Sequence, residues 1–247
     1  MTELKLVNEE PNTGIKPAST AMLDRTDSGN VKATLKNTAI ILQSDGNLKG
    51  LLRYNQFSQK IDVIKDKEIK VNGLLPLTLE KGQLKDSDEQ AILTYLASSS
   101  YQVQPTLVTL ETAIGVTAHA FAYNPVIDYM NKAAKEWDQK PRLKGFLHKY
   151  LGADESEVNE LSFKLWLLGA VAKAYDPYIK FDYVLDLVGG QGVGKTTLLK
   201  DLAKLDDLDV YTDQFEGFSG RDDKSAFAGC LIANDDEMTA SNNSSFE

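Results

Sequence analysis

The residues Gly189-Gly-Gln-Gly-Val-Gly-Lys-Thr196 fit G-x-x-x-x-G-K-[ST], the spacing by which a loop wraps the phosphates of a nucleoside triphosphate. Backbone N–H groups must close around the anion, and Gly189, Gly190, Gly192 and Gly194 permit the positive φ and the close approach that this needs. Gln191 and Val193 complete the cradle between them. Lys195 is placed to reach the β- and γ-phosphates, Thr196 offers a hydroxyl to Mg²⁺, and Thr197 continues a helix whose positive dipole end faces the anion. The expected ligands are ATP and Mg²⁺.

A second group of candidates follows about forty residues later, where the apolar run Leu231-Ile-Ala ends in Asn234-Asp-Asp-Glu237. A strand with that ending delivers carboxylates to the mouth of a sheet. Asp236 is expected to hold the Mg²⁺ shell, a role that Asp235 could take instead, and Glu237 to polarise the attacking water as general base. Three acids after an apolar run also describe a solvated turn, so it is the upstream loop that favours chemistry. Asp213, in Tyr211-Thr-Asp213 after a short strand, is a lesser candidate that could equally cap a turn.

Such a loop requires a strand running in and a helix running out. Phe181-Asp-Tyr-Val-Leu-Asp-Leu-Val188 alternates as a buried strand does, and Thr196-Thr-Leu-Leu-Lys-Asp-Leu-Ala203 spaces its leucines as a helix does. Upstream, Ala33–Leu42 reads as a helix, and the turns at Gly46 and Gly50 precede two strands, Leu51–Asn55 and Lys60–Ile64, of a hairpin. Ser87 with Gln90 forms a capping box for a helix carrying Ile92, Tyr95 and Leu96, and another from about Pro105 aligns Leu107, Leu110, Ile114 and Phe121. Asn124 caps and Pro125 opens a further helix whose Val126, Met130, Ala133 and Trp137 share one face, making Trp137 a packing anchor, with stacking on a ligand the lesser alternative. From Glu155 a longer helix, apolar almost all round near its end, is expected to lie between two layers until Asp176-Pro177 stops it.

The resulting plan is a disordered tail over 1–30, a small mixed α/β module over 31–122, a helical connector over 123–177, and a nucleotide-binding layer over 178–247. The expected fold class is α/β, with an incomplete parallel sheet of the P-loop NTPase, AAA+-like kind. Because later strands would normally cover that sheet, marginal stability is expected.

Composition narrows the partners. With 42% apolar and 26% charged residues and no run of 18 apolar residues, the 247-residue chain reads as soluble, cytoplasmic and without a membrane partner. One cysteine, Cys230, excludes an internal disulfide framework, and His119 and His148 form no metal-ligand spacing. Cys230 reads as a small core hydrophobe, and the histidines as solvated or core-edge residues. From Lys180 onward there are six Lys and Arg against fourteen Asp and Glu, so most of the net charge of −9 sits in the nucleotide-binding half. A nucleic-acid contact must then come from the N-terminal part, from ring assembly, or from sequence beyond 247.

Asn124-Pro-Val-Ile-Asp-Tyr129, Glu136-Trp-Asp138 with Pro141-Arg-Leu143, Tyr150-Leu-Gly-Ala153, Lys164 to Ala172 and Lys180-Phe-Asp-Tyr183 together resemble the virulence-associated protein E family of phages and pathogenicity islands. That family is similar to superfamily 3 AAA+ helicases, and the resemblance extends over about residues 30 to 240. It implies an ATP-driven ring motor on DNA, a homo-oligomer, in which Lys195, Thr196, Asp236 and Glu237 occupy the nucleotide site. Family members usually continue past the acidic strand with a sensor residue, DNA-contacting loops and an arginine finger. Arg221, the one arginine after the loop, precedes the acidic strand and is misplaced for a finger, which makes a C-terminal truncation the expectation. Two alternatives stay open: a chain that binds ATP without hydrolysing it, as a remnant or regulator, and a small-molecule kinase.

Overall fold

Thr34 opens the first helix, α1 (Leu35–Ser44), by accepting the Asn37 N–H on its hydroxyl, as an N-cap side chain does. The computed structural model describes residues 19–71, 73–176, 178–218, 220 and 226–238. They form two units, one of residues up to Tyr54 with Lys60–Ala122, the other of Asn55–Gln59 with the residues from Tyr123 onward.

In the first unit the strands β1 (Leu52–Asn55), β2 (Lys60–Val63), β3 (Lys67–Ile69), β4 (Leu77–Leu79) and β5 (Gly82–Gln83) make two small sheets. One has the order β1-β2-β5, with β2 and β5 antiparallel, and the other is the antiparallel pair β3-β4. The helices α2 (Asp86–Ser98) and α3 (Leu107–Ala120) share a core with α1 built on Ile41, Leu42, Ile92, Leu96, Leu110 and Ile114. The N-cap of α2 lies earlier than Ser87, at Lys85, and Asp88 Oδ2 accepts the Lys85 N–H at 2.9 Å. Leu107 and Phe121, at the ends of the α3 stripe, are exposed.

Order also begins earlier than Val31, although residues 1–18 lie outside the described part. Asn37, fully buried, accepts the Asp24 N–H and donates to the carbonyls of Asp24 and Lys32 at 2.8–2.9 Å. A helical side chain thereby supplies the hydrogen bonds that an isolated polar segment would take from water.

The second unit contains α4 (Pro125–Glu136), α5 (Phe146–Leu151), α6 (Glu157–Tyr175) and α7 (Lys195–Leu202). Two short pairs follow: β6 (Lys204–Leu205) with β7 (Leu208–Asp209), antiparallel, and β8 (Tyr211–Thr212) with β9 (Ile232–Ala233), parallel. Asn124 caps α4 as its sequence demands, its Oδ1 accepting the N–H groups of Val126 and Ile127. Val126, Ala174, Leu199, Ala203, Val210 and Ile232 are buried in one core.

Four expectations differ from the structure. The fold is mixed α/β, and the sheets among the described residues are mostly antiparallel; β8 and β9 form a short parallel pair. Residues 181–188 form no strand, and Val184 and Val188 are 92% and 90% exposed. Alternation marks which side chains share a face, but a strand also needs a partner edge, and among the described residues no strand pairs with 181–188. The helix α6 is buried on one side only, by Phe163, Gly169 and Ala174, whereas Leu161 and Leu168 are exposed. Trp137 is no packing anchor: it ends α4, stays 51% exposed, and donates its Nε1–H to the Lys140 carbonyl. Pro177, the expected helix stop, lies outside the described residues; α6 ends at Tyr175 with Asp176 as its cap.

Candidate functional site

Glycines 192 and 194 take φ of +82° and +93°, values that an L side chain rarely adopts. They turn the chain through Gly189–Gly194 and start α7 at Lys195 without a side-chain cap. The first turn of a helix leaves N–H groups without intrahelical acceptors, so the uncapped start of α7 faces the loop with donors. Lys195 folds back over the same loop, its Nζ donating to the carbonyls of Gly189 at 2.7 Å and Gly190 at 3.0 Å. An ammonium has three donors, and here two of them hold the loop's own backbone. The loop therefore gathers one cation and a row of N–H groups in a few residues, an arrangement that suits an anion.

Gln191 and Val193 are exposed between the glycines, Thr196 is half-buried, and Thr197 is exposed on the outer face of α7. Leu198 and Leu199 turn inward, and Leu199 shares its core with Ile232 of β9. Packing thus ties the helix after the loop to the strand that carries the acids. Asp235 follows β9 half-buried, and Asp236 is exposed at the start of a 3₁₀ turn, Asp236–Met238. The Glu237 backbone lies in that turn, while its side chain is outside the described part, as is Arg221.

Around these acids lies a network that the sequence reading passed over. Asn234 continues the β8–β9 ladder, its N–H donating to the Thr212 carbonyl, and its side-chain amide donates to the Tyr211 hydroxyl at 3.0 Å. Lys200 pairs with Asp213 at 3.5 Å and lies over the Tyr211 ring, 5.1 Å from its centroid. The Gln214 amide holds the Asp213 carboxyl below the usual range, with Lys200 and Tyr211 adding to it. Burial pushes the Tyr211 phenol up, the charges of Asp213 and Asp236 adding to this while Asn234 opposes it. The available signal was position: Lys200 stands four residues after Thr196, one helical turn along the same face. Asp213 is in this cluster through Lys200 and Tyr211, beyond any role as a turn cap.

The remaining candidates are structural. Burial pushes the Cys230 thiol up to about 11, which keeps it protonated at neutral pH and unsuited to attack. His119 stacks on Tyr54 with ring centroids 3.8 Å apart, and His148 hydrogen-bonds the Ala153 carbonyl through Nδ1. Among the described residues no group of three His, Cys, Asp or Glu side chains is placed to hold a metal by itself. None of the described helices is long and apolar enough to cross a membrane.

No curated protein matches the chain. Residues 130–247, from within α4 through the glycine loop to the acidic turn and beyond, match the model of the virulence-associated protein E-like domain.

Proposed function

We propose that the chain binds ATP with Mg²⁺ at Gly189–Thr196 and hydrolyses it as a subunit of a phage-type DNA helicase of the superfamily 3 kind, assembled with further copies of itself in the bacterial cytoplasm. One observation carries this reading: the Gly192 and Gly194 turns place Lys195 and the uncapped start of α7 on one loop, and the core of Leu199 and Ile232 joins that helix to the strand ending in acids. The oxygen donors fit Mg²⁺, which binds through one or two carboxylates together with substrate phosphates and water. Thr196 and either Asp235 or Asp236 would hold the ion, with no all-protein cage required. In that site Lys195 exchanges the Gly189 and Gly190 carbonyls for phosphate oxygens, and Glu237 takes the proton of the attacking water.

A second reading, binding without turnover, is favoured by a specific feature: the acids stand on a parallel pair only two residues long, with 181–188 outside any sheet. Nucleotide affinity and phosphate release, measured with and without single-stranded DNA, separate the two. The helicase reading expects Lys195→Ala to abolish both affinity and release. Glu237→Gln should retain affinity and lose about 10²-fold or more in release, and DNA should stimulate the wild type. Tight binding with no release in the wild type would select the second reading, and release unchanged in both variants would overturn the site.

A further inference from the structure

We propose that residues 135–144, the segment joining α4 to α5, form a docking surface for single-stranded DNA. The proposal deepens the reading above by naming where the strand lies on this chain.

The first observation is charge. The chain carries a net −9, yet from Lys132 to Lys149 there are six Lys and Arg against two acids, Glu136 and Asp138. Every residue from Lys132 to Lys144 is exposed. Lys132 is engaged elsewhere, with Asp206 at 2.8 Å. Of the two acids, Asp138 faces two cations at once: Arg142 grips it through both Nη atoms at 2.7 and 2.8 Å, and the Lys140 ammonium lies 3.7 Å away. One carboxylate cannot neutralise both, so the segment stays cationic in a protein of opposite charge. A polyanion is the partner that complements it.

The second observation is how the segment is built. Arg142 and Asp138 close it, Lys140 donates its N–H to Asp138 Oδ1, and Gln139 takes φ of +63° to complete the turn. Trp137 is fixed at the base by its Nε1–H on the Lys140 carbonyl while half of it stays open to water. A ring held by its polar atom and left open is a ready stacking platform. Successive bases stack on such rings while neighbouring cations follow the phosphates. A single strand fits better than a duplex, because a ten-residue turn with one open ring presents no helix or ribbon to enter a groove.

Binding of a fluorescein-labelled dT20 to the full chain, followed by anisotropy without nucleotide at several salt concentrations, tests the proposal. A chain that bound no ATP would still give an answer, so failure here and failure of the ATPase reading are separate. Lys135→Glu with Lys144→Glu should weaken binding at least ten-fold and flatten the slope of log K against log salt by about 1.4, two contacts at about 0.7 each for single strands. The same double variant should keep its unstimulated ATP turnover. Trp137→Ala should lose about ten-fold in affinity, while Trp137→Phe, which retains a stacking face, should stay within about three-fold of wild type. Equal affinity in wild type and double variant overturns the surface. A Trp137→Phe variant as weak as Trp137→Ala, or a duplex bound as tightly as dT20, overturns the single-strand assignment.

Discussion

The Phe181 ring lies directly against Gly169 of α6, so that a Cβ at position 169 would overlap the ring carbons. This contact anchors the chain that runs from 180 to the glycine loop at the point where it leaves the helix. Gly169→Ala should push the ring out. Overpacking of this kind costs about 1–3 kcal/mol, against a gain of about 1 kcal/mol in helix propensity. Gly115→Ala in α3, where nothing lies within 4 Å of the added carbon, should give only the gain. Hydrogen exchange over 180–188 should rise in the first variant and stay unchanged in the second, and ATP affinity should fall in the first alone.

Asn37 joins α1 to the residues before it through three hydrogen bonds to Asp24 and Lys32. Asn37→Ala leaves the Asp24 N–H without its acceptor, at about 1–3 kcal/mol if it stays buried, while the Asp24 and Lys32 carbonyls keep the N–H groups of Lys32 and Thr34. Thermal unfolding should show a loss of about 1–3 kcal/mol, and protease cleavage within 19–32 should become rapid. An unchanged cleavage pattern would mean that those residues are held by something other than Asn37.

Asp45 accepts the hydroxyls of Tyr95 at 2.9 Å and Tyr101 at 3.1 Å. Burial, with the Asp45 charge beside it, pushes the Tyr101 phenol from its ordinary 10 up to about 12, and burial raises Tyr95 in the same direction. A group whose folded value is raised contributes stability that is full below the unfolded value and is lost as pH climbs through the folded one. The first unit should therefore weaken between about pH 10 and pH 12. The Tyr101→Phe variant should show a smaller loss across that window, as followed by circular dichroism against pH.

The Cys230 thiol, pushed up to about 11, should be slow to alkylate. At pH 8 its thiolate fraction is about a hundred-fold below that of a free thiol. Iodoacetamide labelling in native buffer should lag labelling in denaturant by a comparable factor. Equal rates would place the thiol in water.

Local chemistry decided what the sequence made legible. The Asn124-Pro125 start of α4, the glycine turns at 192 and 194, and the helix after Lys195 each depend on groups within a few residues, so type and spacing suffice to read them. The pairing of Ile232–Ala233 with Tyr211–Thr212, the exposed setting of Trp137 and the unpaired run 181–188 depend on partners distant in the chain. Periodicity gives the face an element would bury, but the cover for that face comes from elsewhere in the fold. For the same reason Lys200, Tyr211 and Asn234 stayed hidden beside the acids: their chemistry lies in one another's company, which tertiary packing alone supplies.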